Sequence, residues 1–400
     1  MNQMLDETDK RSRKITAIVV LSFIGLLLLI YVIVSLTYKA PSDVVHTVPK
    51  QIDPIFIKIT DKLNIRWYAV FVIGGALVCS LLGYYFFLRK VKFDSDTTTT
   101  GVTWGIIVGV LGGRIYYMSF PPETMDSIFS KAYWQQGVLN GLKELFDLTT
   151  GGLAIHGSLL AVIIFIIIYC YIKKIKFLEL IEIVLPVFML AQALGRWGNF
   201  CNHEAYGPLV GGSTKALPDA ELFHQREILR HMLVPSFIID NMYMANEAIS
   251  GYYYPTFFFE SVPNLIGAVG FILIRKHSKK LYVGDAIGFY GMWYGVLRFL
   301  IEILRTDALP VTIFGVNFKI AQIQSVIYFA LGLAFIILRR VFKYHLVSSR
   351  EFLYEGGIIW KGDVIPPKVQ KVFEEEALKK AKKEALKASK CENINEEKNE

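Results

Sequence analysis

The stretch "FLELIEIVLPVFMLAQALGRWGNFCNHEAYG", residues 177–207, runs from a strongly apolar segment into a cluster of polar residues. The segment 177–195 has the length and composition of a membrane-spanning helix. Its far end carries an Arg, two Asn, a His and a Glu within a few turns. Charge inside a bilayer is costly and usually marks a functional site or a structural ion pair. The stretch therefore predicts a membrane protein with a polar site at one membrane surface.

The overall composition agrees with a membrane protein. The chain has 400 residues and is 53% hydrophobic, with a mean hydropathy of +0.41, which is too apolar for a soluble protein of two domains. Its net charge of +8 lies in short basic clusters beside apolar runs, so we expect no nucleic-acid partner. The four cysteines have no spacing typical of disulfides or zinc sites, and we predict free thiols, no metal and no cofactor.

Several apolar runs are long enough to cross a bilayer core of about 30 Å. The eight predicted spans are roughly 15–38, 67–88, 101–119, 153–172, 177–195, 256–275, 284–305 and 320–338. The first could be a cleaved signal peptide, but its apolar core exceeds the roughly 7–15 residues of a signal sequence and no cleavage site of small residues follows. We therefore predict a retained anchor.

The basic residues predict the orientation of these spans. Lys and Arg clusters precede the first span and occupy 89–92, 173–176, 275–280 and the start of the tail. By the positive-inside rule, both termini are then cytoplasmic. The connections between these basic ones face outward, and 208–252 resembles an extracytoplasmic lobe. The tail, 341–400, is rich in Ala, Glu, Lys and Leu, which predicts a solvated cytoplasmic helix, with a partner-binding role as the alternative.

Nine ionisable or polar residues that interrupt the apolar pattern fall at the predicted outer ends of the spans. They are Tyr68, Arg114, His156, Arg196, Asn199, Glu260, Arg298, Glu302 and Arg305. A proton or ion conduit would spread polar groups through the whole depth of the membrane. The one-sided clustering instead predicts a site open to the outer leaflet.

The seventh apolar run, 284–305, contains a narrow polar stripe. Tyr294, Arg298, Glu302 and Arg305 are spaced four, four and three residues apart, so at about 100° per residue they share one helix face. The stripe alone is as consistent with a structural ion-pair ladder as with a binding site. Several guanidinium groups at this depth suit a phosphate, because the Arg fork matches phosphate oxygens. The phosphate available there is that of a phospholipid head group.

The motifs at this depth resemble those of the prolipoprotein diacylglyceryl transferase family. "GRWGNFCNHEAYG" (195–207) contains every fixed position of the family signature. The similarity extends in order over about 65–325, through these segments: "IRWYA" (65–69), "GGRIYY" (112–117), "GGLAIHGS" (151–158), "YPTFFFES" (254–261), "YGVLRFLIEILR" (294–305) and "AQIQS" (321–325).

The resemblance implies a fold and a domain organisation. Members of the family have seven membrane helices, so the expected fold is an all-α polytopic membrane protein with a seven-helix transferase core and one extra N-terminal helix. The predicted parts are an N-terminal segment (1–64), a catalytic membrane domain (65–340) with an outer lobe at about 208–252, and the cytoplasmic tail (341–400).

The resemblance also implies an activity at the outer leaflet of the bacterial cell membrane. The family transfers the diacylglyceryl group of phosphatidylglycerol to the lipobox cysteine in the signal peptide of a prolipoprotein, forming a thioether and releasing glycerol phosphate. The expected partners are therefore phosphatidylglycerol, prolipoprotein signal peptides and membrane lipids. The alternative is a phospholipid transporter or flippase with an anionic head-group pocket at the outer leaflet.

Residue roles follow from the chemistry and from the matched motifs. A thiol attacks as thiolate, so a neutral His is a natural general base, and we assign His156 to that role; the alternative is a packing His at a helix end. Arg196 and Arg298 would stabilise the departing phosphate. Glu302 is expected to hold Arg298 or Arg305 rather than act as an acid. The remaining substrate-binding candidates are Tyr68, Arg114, Asn199, Asn202, Glu204, Gly207, Glu260, Tyr294, Glu302 and Arg305.

Overall fold

The computed structural model describes most of the chain. The described residues are 52–59, 64–121, 126–131, 133–135, 137–146, 152–211, 219–245, 250–304, 310–313 and 316–396. The predicted helix 15–38 and the candidate residue Arg305 lie outside them.

The described part of the chain is mostly helical. Its twelve α-helices are α1 (Trp67–Phe86), α2 (Ser95–Ser119), α3 (Val138–Phe146), α4 (Ile155–Ile172), α5 (Phe177–Cys201), α6 (Asp219–His231), α7 (Ser236–Asn241), α8 (Thr256–His277), α9 (Asp285–Ile303), α10 (Ile320–Val341), α11 (Ser349–Tyr354) and α12 (Pro367–Glu396). Within these residues, six helices are long and apolar enough to cross a membrane: α1, α4, α5, α8, α9 and α10. The prediction of an all-α polytopic membrane protein is confirmed.

Three short antiparallel hairpins accompany the helices and were not predicted. They are β1 (Ile55–Lys58) with β2 (Asn64–Arg66), β3 (Tyr243–Ala245) with β4 (Ser250–Tyr252), and β5 (Pro310–Ile313) with β6 (Val316–Lys319). Each lies in a connection between apolar runs. Strands of three or four residues are too short to show a clear alternation of apolar and polar residues.

Helix α2 begins earlier than the sequence predicted. The apolar run starts at 101, but the helix starts at Ser95 because the side chain of Asp94 accepts a hydrogen bond from Thr97 N at 2.7 Å and caps the first turn. The helix packs closely against α4: a Cβ on Gly112 would lie 2.2 Å from Ala161 Cβ. Glycine at this position therefore permits the close approach of the two helices.

The chain divides into two compact units. Unit 1 comprises Met1–Gly75, Met189–Gly267 and Gly291–Gly332, and unit 2 comprises Ala76–Phe188, Ala268–Tyr290 and Leu333–Glu400. The polar motif of α5, the lobe and the Arg298 stripe belong to unit 1. The α2–α4 pair and the tail belong to unit 2.

Unit 1 contains a folded lobe beyond the end of α5. Gln225 on α6 is buried and joins two segments: its Nε2 donates to Val210 O at 2.8 Å, and its Oε1 accepts from Tyr252 N at 2.9 Å. Arg226 pairs with the buried carboxylate of Asp240 and donates to the Tyr252 hydroxyl. The lobe shares an apolar core with the end of α5, made by Phe200, Cys201, Val210, Leu229, Val234, Ile238, Ile239, Met242, Met244, Tyr252 and Phe257. This core holds the polar motif at a fixed place beside the lobe.

Unit 2 contains a buried polar network that was not predicted from the sequence. Glu182 on α5 is fully buried and accepts hydrogen bonds from Gly284 N (2.8 Å), Ala286 N (3.0 Å) and Ser349 Oγ (2.8 Å). Arg275 is also fully buried and donates to Glu182 O at 2.6 Å. A buried carboxylate needs several hydrogen-bond donors. Because the donors here come from different elements, the network joins α5, α8, α9 and the tail.

Candidate functional site

The polar motif of α5 is itself helical. The helix continues past the predicted end at 195 to Cys201, because Trp197, Phe200 and Cys201 lie three and four residues apart and form one apolar face. Phe200 and Cys201 are buried, and the Phe200 ring stacks on Phe257 with 4.5 Å between centroids. With this face fixed, Arg196 and Asn199 project from another side of the helix.

A left-handed turn ends α5 and brings Glu204 back to the helix. His203 (φ 52°) and Ala205 (φ 56°) have positive φ angles, and Glu204 N donates to Asn199 O at 3.1 Å. The Glu204 carboxylate then accepts hydrogen bonds from Asn199 Nδ2 (3.0 Å) and Asn202 Nδ2 (3.4 Å). The motif thus places two amides around one carboxylate, and Asn199 Oδ1 accepts from Arg196 at 3.5 Å.

His203 lies in the turn that ends α5 and was not among the predicted site residues. Its side chain is half-buried, and its Nε2 is buried without a hydrogen-bond partner among the described residues. Burial lowers the pKa of the imidazole below its usual value. The burial of the ring depends on the backbone turn at the end of α5 and cannot be predicted from the residue type alone.

Two arginines from different helices meet on the carboxylate of Glu260. Arg196 on α5 forms an ion pair with Glu260 Oε2, and Arg298 on α9 has its Nη1 at 3.7 Å from Glu260 Oε1. Arg298 also pairs with Glu302 Oε2 at 2.6 Å, one turn along α9. The carboxylate side chains are 8% and 2% exposed, whereas those of Arg196 and Arg298 are 26% and 18% exposed. The carboxylates therefore lie behind the guanidinium groups, which keep an accessible side.

Two tyrosines lie beside this cluster. A Cβ on Gly198 would come within 3.0 Å of Tyr68 Cα, so α1 approaches α5 at this glycine. Tyr68 interacts electrostatically with Arg196 and Glu204. Tyr294 interacts in the same way with Arg298, Arg196 and Glu260.

Gly207 has a packing role in unit 1. The residue is buried, and a Cβ there would lie 2.8 Å from Tyr254 Cβ and 2.9 Å from Leu304 O. The absence of a side chain lets the motif pack against the end of α9.

Unit 1 brings together nine of the predicted residues: Tyr68, Arg196, Asn199, Asn202, Glu204, Glu260, Tyr294, Arg298 and Glu302.

The remaining two described candidates, Arg114 and His156, belong to unit 2. Arg114 is 3% exposed and donates to the backbone carbonyls of Leu145 (3.1 Å), Glu144 (2.9 Å) and Gly152 (3.2 Å). These contacts give Arg114 a structural role at the end of α3. His156 is the second residue of α4, is exposed, and has its ring 6.5 Å from that of Tyr116.

Lys319 is a cation at the site that the sequence analysis missed. Its Nζ donates to Glu302 O at 2.6 Å, in the last turn of α9. A cation at a helix C-terminus is stabilised by the helix dipole and by the unpaired carbonyls. The available signal was a Lys placed immediately before a span, in a connection predicted to face outward.

Comparison with known proteins gives the family. The family model for prolipoprotein diacylglyceryl transferase matches residues 54–338. The chain belongs to this family. A phosphatidylglycerol–prolipoprotein diacylglyceryl transferase of Streptococcus uberis is 37% identical over 290 residues, covering 72% of this chain and 96% of the relative. The enzyme of the same name from Staphylococcus xylosus is 34% identical over 312 residues, covering 77% of this chain and 96% of the relative.

The match places the whole unit 1 cluster inside the family region. It extends somewhat beyond the 65–325 recognised from the motifs, and it leaves residues 1–53 and the tail outside. The resemblance predicted from the α5 motif is confirmed.

Proposed function

We propose that this chain transfers the diacylglyceryl group of phosphatidylglycerol to the lipobox cysteine of prolipoproteins. Family membership and the names of its relatives support this activity. They lend no support to the alternative of a lipid transporter. The observation that carries the proposal is the pair of guanidinium groups, Arg196 and Arg298, held together by Glu260 with one side accessible.

The reaction is a displacement at carbon. The thiolate sulfur of the acceptor cysteine attacks the glyceryl carbon that bears the phosphate ester. A carbon–sulfur bond forms as the carbon–oxygen bond breaks, and the bonding electrons leave with the phosphate oxygen of glycerol phosphate. Negative charge grows on that oxygen, and paired Arg donors stabilise it more strongly than they stabilise the intact diester.

The other residues complete the proposal. His156 takes the proton of the thiol, because a thiol of pKa about 8.5 needs a base to react near neutral pH. Asn199, Asn202 and Glu204 position the glycerol head group. The active site opens to the outer leaflet of the bacterial cytoplasmic membrane, which the distribution of Lys and Arg in the connections supports.

The test is an assay of the purified protein in vesicles of phosphatidylglycerol with a lipobox peptide, in which mass spectrometry measures the thioether product. Arg196→Ala should lower the rate about a hundredfold or more, as for loss of one donor to a developing anion. His156→Asn should lower it at least about tenfold. Vesicles of phosphatidylethanolamine and a peptide with Ser in place of the acceptor Cys are the controls. An unchanged rate with Arg196→Ala, or no product from the native protein, would contradict the proposal.

A further inference from the structure

Helix α3 (Val138–Phe146) has a strongly apolar face that none of the described residues of unit 2 covers. At about 100° per residue, its apolar residues fall within an arc of about 120°. They are Val138, Leu139, Leu142, Leu145 and Phe146. Leu139 is 86% exposed and Phe146 is 58% exposed. A soluble protein would bury such a face, so its exposure indicates a partner outside the protein.

One flank of α3, on the side of Leu145, packs on the protein. Gly141 is buried there: a Cβ would lie 2.7 Å from the Trp134 ring. The Tyr133 hydroxyl donates to Gly141 O at 2.7 Å. These contacts fix the rotation of α3 about its axis, and they turn Leu139 and Leu142 away from the unit.

Arg114 fixes the depth of α3. Its guanidinium binds the last carbonyls of α3 and also Gly152 O, and Ala154 N donates to Gly113 O at 3.1 Å. Gly152 and Ala154 immediately precede α4, which is long and apolar enough to span the membrane. The end of α3 therefore lies level with the end of a spanning helix, which is the depth of the membrane interface.

The apolar face of α3 is matched by exposed apolar side chains at the same end of α2 and α4. Phe120 is 67% exposed, Leu153 is 52% exposed and Ile155 is 68% exposed. Leu153 and Ile155 lie at the start of α4, one of the six helices able to span a membrane, where exposed apolar side chains are suited to contact with lipid. The exposed face of α3 thus has the same chemistry, at the same depth, as the lipid-facing surface of the spans.

We propose that α3 lies in the plane of the membrane interface, with its apolar face among phospholipid acyl chains. Lys143, at the edge of the apolar arc, extends its ammonium group toward the head-group phosphates. Arg114 then transmits this anchoring to Gly152, four residues before His156. The membrane thereby fixes the position of the turn that begins α4. This inference does not depend on the transferase activity.

Spin labels on the two faces of α3 test the proposal. Leu139→Cys places a label on the apolar face, and Glu144→Cys places a matched label on the polar face; both positions are exposed, so neither change disturbs packing. The full-length protein carries Cys391→Ser and is reconstituted in phosphatidylglycerol nanodiscs, because the other three cysteines are buried. Power saturation then compares the accessibility of each label to oxygen, which partitions into lipid, and to a water-soluble nickel chelate.

The expected result is opposite behaviour of the two labels. The label at 139 should be reached mainly by oxygen and the label at 144 mainly by the chelate. Equal access of the chelate to both positions would place α3 in water and overturn the proposal. A label at 139 shielded from both reagents would show that another protein surface covers the face, which would also overturn it. The readout is independent of turnover, so failure of the proposed function leaves it intact.

Discussion

Glu260 is the residue on which the charge balance of the unit 1 cluster depends. It is 6% exposed and contacts both Arg196 and Arg298. Without its charge, two guanidinium groups would face each other with only Glu302 to compensate. Glu260 therefore acts as a positioning residue that holds the arginines close enough to bind one phosphate together.

We expect Glu260→Gln to lower both stability and activity. Arg196 and Arg298 keep an accessible side, so the loss of their charged partner should cost about 1–3 kcal/mol of folding free energy. The loss of arginine alignment should lower kcat/KM for phosphatidylglycerol by a factor of about ten, which corresponds to about 1.4 kcal/mol. Thermal unfolding and the vesicle assay measure the two effects.

The matched control for this prediction is Glu227→Gln, which removes the charge from an Arg–Glu pair on α6. That pair is largely exposed and should contribute at most about 1 kcal/mol. If Glu260→Gln instead lowered KM while kcat stayed constant, Glu260 would be a competitor of the lipid phosphate rather than a positioning residue.

His203 makes the stability of the protein depend on pH. Burial lowers its pKa in the folded state below the value in the unfolded chain, so the unfolded state binds the proton more tightly. The free energy of unfolding therefore has its full value above the unfolded pKa of about 6.5, and it declines as the pH falls below that pKa.

The variant His203→Asn should remove this part of the acid sensitivity. Asn tolerates the positive φ of this position. The wild-type melting temperature should therefore fall more than that of the variant between about pH 7 and about pH 5. His231→Asn, at an exposed position of α6, should follow the wild type. Parallel curves for wild type and His203→Asn would show that the buried imidazole has no such effect.

At the scale of elements, the two glycines of the α5 motif are not equivalent. A Cβ on Gly198 would meet Tyr68 Cα at 3.0 Å, whereas a Cβ on Gly195 would meet only Val72 Cγ2 at 3.9 Å. Only Gly198 is required for the close approach of α1, which carries Tyr68 to the cluster.

We expect Gly198→Ala to impair the enzyme and Gly195→Ala to leave it nearly unchanged. The backbone of α1 must move a few tenths of an ångström to accept a methyl group at 198, which costs about 1–3 kcal/mol as overpacking. An Ala at 195 makes an ordinary contact and slightly favours the helix. The melting temperature and kcat/KM of the two variants test this prediction. Equal effects of the two substitutions would show that stability and activity do not depend on the close approach of α1 to α5 at Gly198.

The elements also show what the sequence could predict. Six spans were found because long apolar runs have no other stable place than a membrane or a large core. The start of α2 was missed because it depends on one capping side chain, Asp94. Arg114 was assigned to substrate because depth places it at the outer surface, but depth cannot show that the guanidinium is already used by three carbonyls. The Arg–Glu cluster was predictable because the chemistry of its residues is unusual in a membrane.

On the scale of the whole molecule, the tail makes contacts that its composition did not indicate. Residues 341–400 were predicted to form a solvated helix. Only α12 resembles a solvated helix. The part of the tail before α12 is packed on the protein: Ser349 is fully buried against Glu182. Trp360 is 3% exposed, stacks on Phe93 at 5.4 Å and donates to Lys92 O at 2.7 Å. The segment before α12 is therefore part of the fold of unit 2, although the family match ends at residue 338.

This arrangement predicts that two truncations will differ in effect. A chain ending after residue 377 keeps the contacts of Ser349 and Trp360 and should melt at nearly the wild-type temperature. A chain ending after residue 341 leaves Glu182 without one of its donors and exposes Phe93, so it should melt at a clearly lower temperature or fail to accumulate. Trp360→Ala in the full chain isolates one contact, and its expected cost is about 3–5 kcal/mol. If both truncated chains and Trp360→Ala melted at the wild-type temperature, the tail would not contribute to the stability of unit 2. Lower melting temperatures for the chain ending at 341 and for Trp360→Ala, but not for the chain ending at 377, would show that unit 2 requires the segment before α12.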